Sequence, residues 1–244
     1  MPLRRLPALS GILLAAVLLS GCASAAQPGG SEPGGSNPGS GGSPSVAPPA
    51  DGDGLDVGAA WLSGGSAIAV VTPGSSSPAC APLVDEVVLD QGVLVVSLST
   101  DPAAACTRDL VPRGTLVGLP GGVDPAKGLP VQVTLDDSFG EAELAPYAGA
   151  PVEEYSPSAG WVDDGVLALL TWGSSSCAPV VESARAESPT EVVVTFAKVT
   201  ADQPCTMDMA PRVAVATVEG EVSRDATLSF VGGDRFGGGS IAIG

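Results

Sequence analysis

The fold class predicted by this sequence is all-β: two tandem, homologous small modules, sandwich- or barrel-like, each closed by one disulfide. Three observations predict it. Apolar and β-branched residues alternate with period two in several short runs, as in Leu94, Val96 and Leu98 against Val95 and Ser97. One set of motifs occurs twice, about a hundred residues apart. Four cysteines fall inside those motifs, and beyond the N-terminal region no stretch of twelve residues carries a convincing 3.6-residue period.

The first element, residues 1–21, reads as a signal peptide rather than as part of the fold. Arg4 and Arg5 form a positive segment, and the apolar run from Leu6 to Leu19 is too short to cross a hydrocarbon core of ~30 Å as a helix. Leu19-Ser20-Gly21-Cys22 follows directly and resembles the lipobox of bacterial lipoproteins. That resemblance implies that Cys22 is the lipidation site and becomes the new N-terminus, carrying two acyl chains. Two chains anchor stably where one holds only marginally. The address implied is export and attachment to the outer face of the cytoplasmic membrane, with the membrane as a partner through Cys22. The plainer alternative is an ordinary signal peptide with a free Cys22.

Residues 22–56 read as a disordered, lipid-anchored linker. From Gln27 to Gly54 the chain is dominated by Gly, Pro and Ser and has no apolar periodicity, so no buried surface offsets chain entropy. Such a segment has a root-mean-square span of roughly 30 Å. Asp51-Gly52-Asp53-Gly54-Leu55-Asp56 begins like a calcium loop but fails the EF-hand pattern, with Leu55 at the fifth position and Asp56 where glycine is required. It is expected to be a solvated acidic linker end.

The repeats follow at residues 57–150 and 151–244. The first contains Gly74-Ser75-Ser76-Ser77-Pro78-Ala79-Cys80-Ala81-Pro82 and then Cys106-Thr107-Arg108-Asp109-Leu110-Val111-Pro112-Arg113. The second contains Gly173-Ser174-Ser175-Ser176-Cys177-Ala178-Pro179 and then Cys205-Thr206-Met207-Asp208-Met209-Ala210-Pro211-Arg212. Trp61 and Trp161 open the copies. A tandem duplication is the reading of this density of matches. Five strands are expected in each copy: Ala67–Thr72, Glu86–Leu89, the run around Leu94–Leu98, Thr115–Leu119 and Val131–Leu135, then Val166–Thr171, Ser183–Glu187, Val192–Phe196, Ala214–Val218 and Ala226–Phe230. Asp90-Gln91-Gly92 and Ser188-Pro189-Thr190 have turn composition. Ala103–Leu110 and Glu141–Tyr147 are each expected to form a helical turn or two.

With Cys22 set aside, four cysteines remain, an even number in an exported chain, which reads as disulfides. Three pairings exist in principle. The duplication selects Cys80–Cys106 and Cys177–Cys205, because each copy folded alone before it was doubled. Redox chemistry lacks a close C-x-x-C pair, and the spacings do not suit a zinc site. No metal and no cofactor is expected.

Composition excludes several functions. The chain has 244 residues, net charge −17 and no histidine. Removal of the leader takes Arg4 and Arg5 with it, leaving eight basic against 27 acidic side chains. Nucleic-acid binding through a basic patch is excluded, as are histidine-based triads and histidine zinc sites. Lys127 and Lys198 offer no S-x-x-K spacing to activate Ser75–Ser77 or Ser174–Ser176. Asp136-Asp137, Glu153-Glu154 and Asp163-Asp164 are carboxylate doublets of the kind glycosidases use, but the chain is poor in aromatic sugar platforms, and solvated turns are expected there.

The sharpest polar signal is Asp109 with Arg113 and Asp208 with Arg212. One reading is a clamp for a polar ligand such as a glycan or peptide terminus. The other is structural, the Asp accepting backbone N–H groups after the cysteine and pairing with its Arg across a turn. Duplication favours the structural reading, because folding constraints persist in both copies.

Over residues 61–232 the repeat resembles the uncharacterised secreted or lipid-anchored actinobacterial proteins that carry W-G-S-S-S-C-x-P and C-T-x-D-x-x-P-R. The resemblance implies an address and no activity. The first copy departs from it, with Pro73 in place of the Trp172 of the second copy and with the additional Pro78 and Ala79. The function expected is a monomeric, non-enzymatic binding or accessory module facing the cell wall, with a protein or wall-glycan partner. A carboxylate-based hydrolase and a structural spacer or transporter accessory are the alternatives.

Overall fold

Period-two alternation places the side chains of the outer strands on two faces, while the runs Ala67–Val71 and Leu167–Leu170 are apolar without interruption. The computed structural model, which describes residues 54–200, 202–232 and 239–244, accounts for both patterns. The signal peptide, Cys22 and nearly all of the linker lie outside the described residues. The first module has strands β1 (Gly58–Leu62), β2 (Ala67–Gly74), β3 (Leu83–Asp90), β4 (Val93–Ser99), β5 (Val111–Gly118), β6 (Leu129–Leu135) and β7 (Ser138–Leu144). The second has β8 (Ser158–Asp163), β9 (Val166–Gly173), β10 (Val181–Ser188), β11 (Glu191–Phe196), β12 (Ala210–Thr217), β13 (Thr227–Gly232) and β14 (Ser240–Ala242).

Each module has an inner three-stranded sheet, β1-β2-β5 or β8-β9-β12, and an outer four-stranded sheet, β3-β4-β6-β7 or β10-β11-β13-β14. Within the outer sheets β4 runs parallel to β6 and β11 parallel to β13. The intervening strands, β5 and β12, lie in the inner sheets, so each parallel pair is joined by a crossover through the other layer.

In the first module Ile68 and Val70 of the inner sheet meet Leu94, Val96, Leu98, Val131 and Val133 of the outer one. In the second, Leu167 and Leu169 meet Val192, Val194, Phe196, Leu228 and Phe230. The alternate residues of the inner strands point the other way. Ala60, Leu62 and Ala69 pack against Ala168 and Leu170, forming a third core that joins the two inner sheets. Both faces of β2 and β9 are therefore buried along most of their length, which is why the runs Ala67–Val71 and Leu167–Leu170 do not alternate with polar residues. Residues 57–150 and 151–244 thus belong to one compact unit, Ala50–Gly244.

Three alanines, Ala60, Ala69 and Ala168, sit beside Leu62 and Leu170 in the third core, and the sheets approach closely there. A Cβ on Gly160 would lie 2.3 Å from the Trp61 carbonyl oxygen, and one on Gly114 would lie 2.5 Å from Val213 Cγ1. No side chain larger than hydrogen fits at either position without displacing a neighbour.

The fold is all-β, and the described residues contain seven strands per module where five are expected. β1, β7, β8 and β14 are the additions. Glu141–Leu144 is not a helical turn but part of β7, with Val131 opposite Ala142. Ala103–Leu110 is likewise not helical; a turn at Asp101–Ala104 leads into irregular chain before β5. The Asp90-Gln91-Gly92 turn closes the β3–β4 hairpin with positive φ at both Gln91 (49°) and Gly92 (88°), the mirror-image turn whose twist suits a hairpin.

Candidate functional site

The repeated motifs come together at the end of each inner sheet. Cys80 is bonded to Cys106 and Cys177 to Cys205. Each bond ties the loop after β2 or β9 to the loop before β5 or β12, so serine run and C-T-x-D segment face one another. In the first module the Ser76 N–H donates to Asp109 Oδ1 at 3.1 Å, and the Thr107 hydroxyl donates to the same carboxylate. The Thr107 N–H donates to Ser75 Oγ at 3.0 Å and Ser77 Oγ at 3.2 Å. The second module repeats this knot: Ser175 N–H to Asp208 at 3.0 Å, the Thr206 hydroxyl to Asp208, and Thr206 N–H to Ser176 Oγ at 3.0 Å.

These bonds favour the charged carboxylate. The Ser76 and Thr107 side chains, then the Ser76 N–H, hold the Asp109 carboxyl down at about 2. Thr206, then Ser175, hold Asp208 well below the usual carboxylate range.

The expected ion pair between Asp109 and Arg113 is not formed. Arg113 instead donates to the Ser76 carbonyl at 3.5 Å. The path from Asp109 to Arg113 enters β5 instead of turning back, and four residues of extended chain cover about 13 Å. Arg212 donates to the carbonyls of Trp172 (2.8 Å), Cys177 (3.1 Å) and Ser174 (3.4 Å). The guanidinium caps the carbonyls of the serine loop while the carboxylate takes its N–H groups. Asp and Arg therefore brace the same loop from two sides, a structural arrangement with the acid and base engaged by the protein itself.

The carboxylate doublets separate by role. Asp136, at the β6–β7 turn with φ of 51°, accepts from Thr100 N–H (3.1 Å) and Thr100 Oγ1 (2.9 Å), pinning the end of β4. Asp164 is ion-paired with Arg224 at 2.5 Å. Glu153 and Glu154 are exposed in the segment between modules. No group of three metal-ligating side chains gathers among the described residues.

Sequence reasoning missed a cleft of about 720 Å³ between the modules, lined by Trp61, Tyr147, Trp161, Arg224, Glu143 and Asp163 among others. Trp61 and Tyr147 meet edge to face, with centroids 6.2 Å apart, and Trp61 Nε1 donates to the Ala145 carbonyl. On the other wall the Arg224 guanidinium lies 5.5 Å from the centre of the Trp161 ring, whose Nε1 donates to the Arg224 carbonyl. Its volume is that of a small-molecule site, but Glu143, Asp163 and Asp225 on its rim are exposed. The signal that could have found it was the tryptophan at the start of each copy in a chain with three tryptophans. No family model, curated protein or solved structure matches the chain.

Proposed function

We propose that this is a lipid-anchored cell-envelope protein whose folded unit is a non-enzymatic binding or accessory module facing the cell wall. The observation that carries the reading is the state of the cysteines: all four in the folded unit are disulfide-bonded, as suits an oxidising compartment. The lipobox-like Leu19-Ser20-Gly21-Cys22 and the Gly/Pro/Ser-rich linker supply the anchor and the reach. The cleft at Trp61, Tyr147, Trp161 and Arg224 is the surface offered to a wall glycan or a protein segment, with aromatic walls and a cation at one side.

Two experiments test this. Membrane fractionation and detergent partitioning should release a Cys22→Ala variant into the soluble fraction; a variant that stays membrane-bound overturns the anchor. A thermal-shift screen against wall fragments, run beside a turnover screen on glycosidic and ester substrates, should give stabilisation without product. Product formation would favour the carboxylate-based hydrolase, the second reading, which the carboxylates on the cleft rim keep in view.

A further inference from the structure

The two modules differ at the free edge of their outer sheets. In the second module the edge strand β10 is sealed: the Ala186 N–H donates to the Glu219 carbonyl and the Glu219 N–H to the Ala184 carbonyl, both at 2.9 Å. The Arg185–Glu219 ion pair, 3.3 Å long, fastens the seal from outside. The corresponding strand of the first module is β3. Matching bonds fix the correspondence, since Leu119 N–H donates to Ser66 as Val218 N–H donates to Gly165. The residue after Leu119 is Pro120, where the second module has Glu219. Proline has no N–H to give, so the bond to the β3 carbonyl cannot form. Among the described residues the Leu89 N–H and Val87 carbonyl, which correspond to the sealed groups of Ala186 and Ala184, have no partner across that edge.

The open edge is not built for a second copy of itself. Asp85, Glu86 and Asp90 stand exposed along β3, unpaired with any cation among the described residues. Antiparallel self-pairing would set these carboxylates against one another in a chain of net charge −17. A bulge between Val84 and Glu86 leaves Glu86–Asp90 as the regular stretch. Along that stretch Val88, 43% exposed, shares the outward face with Glu86 and Asp90, while the half-buried Val87 and Leu89 turn to the core, so an added strand meets carboxylates on one face and apolar side chains on the other.

We infer that the β3 edge is a docking strand for an extended polypeptide segment that alternates basic and apolar side chains and adds to the outer sheet of the first module by main-chain hydrogen bonds. The inference rests on reading the folded unit as a binding module, but not on the cleft or the lipid, so it fails separately from them. The probe is a capped peptide of alternating lysine and valine, added to the full exported chain in detergent. Binding is read by fluorescence anisotropy and the Leu89 amide by hydrogen exchange. Leu89 exchange should slow on binding while Ala186, already bonded, stays unchanged. The same peptide with alternate residues N-methylated should bind about thirtyfold more weakly, the equivalent of two ladder hydrogen bonds. The exposed-site double variant E86K/V88K should weaken binding by at least about tenfold while keeping the thermal melting of the wild type. Pro120→Glu, which restores the sealing residue, should slow Leu89 exchange without peptide and compete with binding. Equal affinity for the methylated peptide, an unchanged Leu89 amide, absence of binding, or dimerisation of the free chain through β3 would each overturn the inference.

Discussion

The two modules share strand order, disulfide placement and the serine–aspartate knot, yet differ in how each fills its core and closes its openings. Leu98 and Val133 in the first module correspond to Phe196 and Phe230 in the second, whose rings stack with centroids 5.6 Å apart. Pro73 corresponds to Trp172, which is covered by Tyr155 at 5.1 Å and donates from Nε1 to the Ser156 carbonyl. The segment entering the second module thus lies over its inner sheet. The matching position of the first module, beside Pro73, Leu110 and Pro112, lines a recess of about 430 Å³. The difference teaches that the knot and the disulfide define the module, whereas aromatic filling and edge sealing are variable.

The largest expected effect is in the unequal cores. Phe196→Ala should cost about 3–5 kcal/mol in urea denaturation, against about 2–5 for Leu98→Ala, with the aromatic truncation the costlier of the pair. Because the inner sheets share a core, both variants should unfold in one transition. Two resolved transitions would mean that the modules are energetically independent. Next come the disulfides. Their sequence separations, 26 and 28 residues, are nearly equal, so Cys80→Ser/Cys106→Ser and Cys177→Ser/Cys205→Ser should each cost about 3.5 kcal/mol. Strongly unequal losses would show that something other than chain entropy governs one of them. Tyr155→Ala should cost about 1 kcal/mol through its ring contact and shift Trp172 emission to the red; unchanged emission would remove Tyr155 as its cover.

The smallest effect is the pH dependence of the knots, whose carboxylates are solvent-accessible. The Asp109 carboxyl is depressed from 3.8 to about 2, so its contribution is present above pH 3.8 and is lost as pH falls through about 2. Thermal melting of the wild type should fall over that window, and Asp109→Asn and Asp208→Asn should each flatten the slope slightly. An unchanged slope in the double variant would remove the knots from the acid response.

Much of this fold was legible in the sequence because its signals are local. Leu94, Leu98, Val192 and Phe196 alternate visibly and are buried as alternation requires. The disulfides follow from matching cysteines. What escaped depends on distant partners. β1 and β8 are short and rich in Gly and Ala, which suits burial on both faces and gives no strand propensity. Glu141–Leu144 has no helix-breaking residue, and only its pairing with β6 makes it a strand. The Asp109–Arg113 spacing suggested contact because the direction of the chain between them was not readable. The sealed and open sheet edges turn on Pro120 and Glu219, residues outside every motif.

Gly114 and Val213 occupy matching positions of the two modules, and across the inner sheets they face each other. A glycine opposite a valine fills the gap; valine opposite valine would collide there, and glycine opposite glycine would leave a void. Tandem repeats are prone to misassembly, in which a module is exchanged between neighbouring chains or pairs with a twin of itself. At the Gly114–Val213 contact, glycine against valine fits where either residue against its own kind would not. Ala60 against Gly160, another matching pair, repeats the mismatch, and together the two contacts act as a key cut differently on its two sides, favouring the first module's pairing with the second over like-with-like assembly.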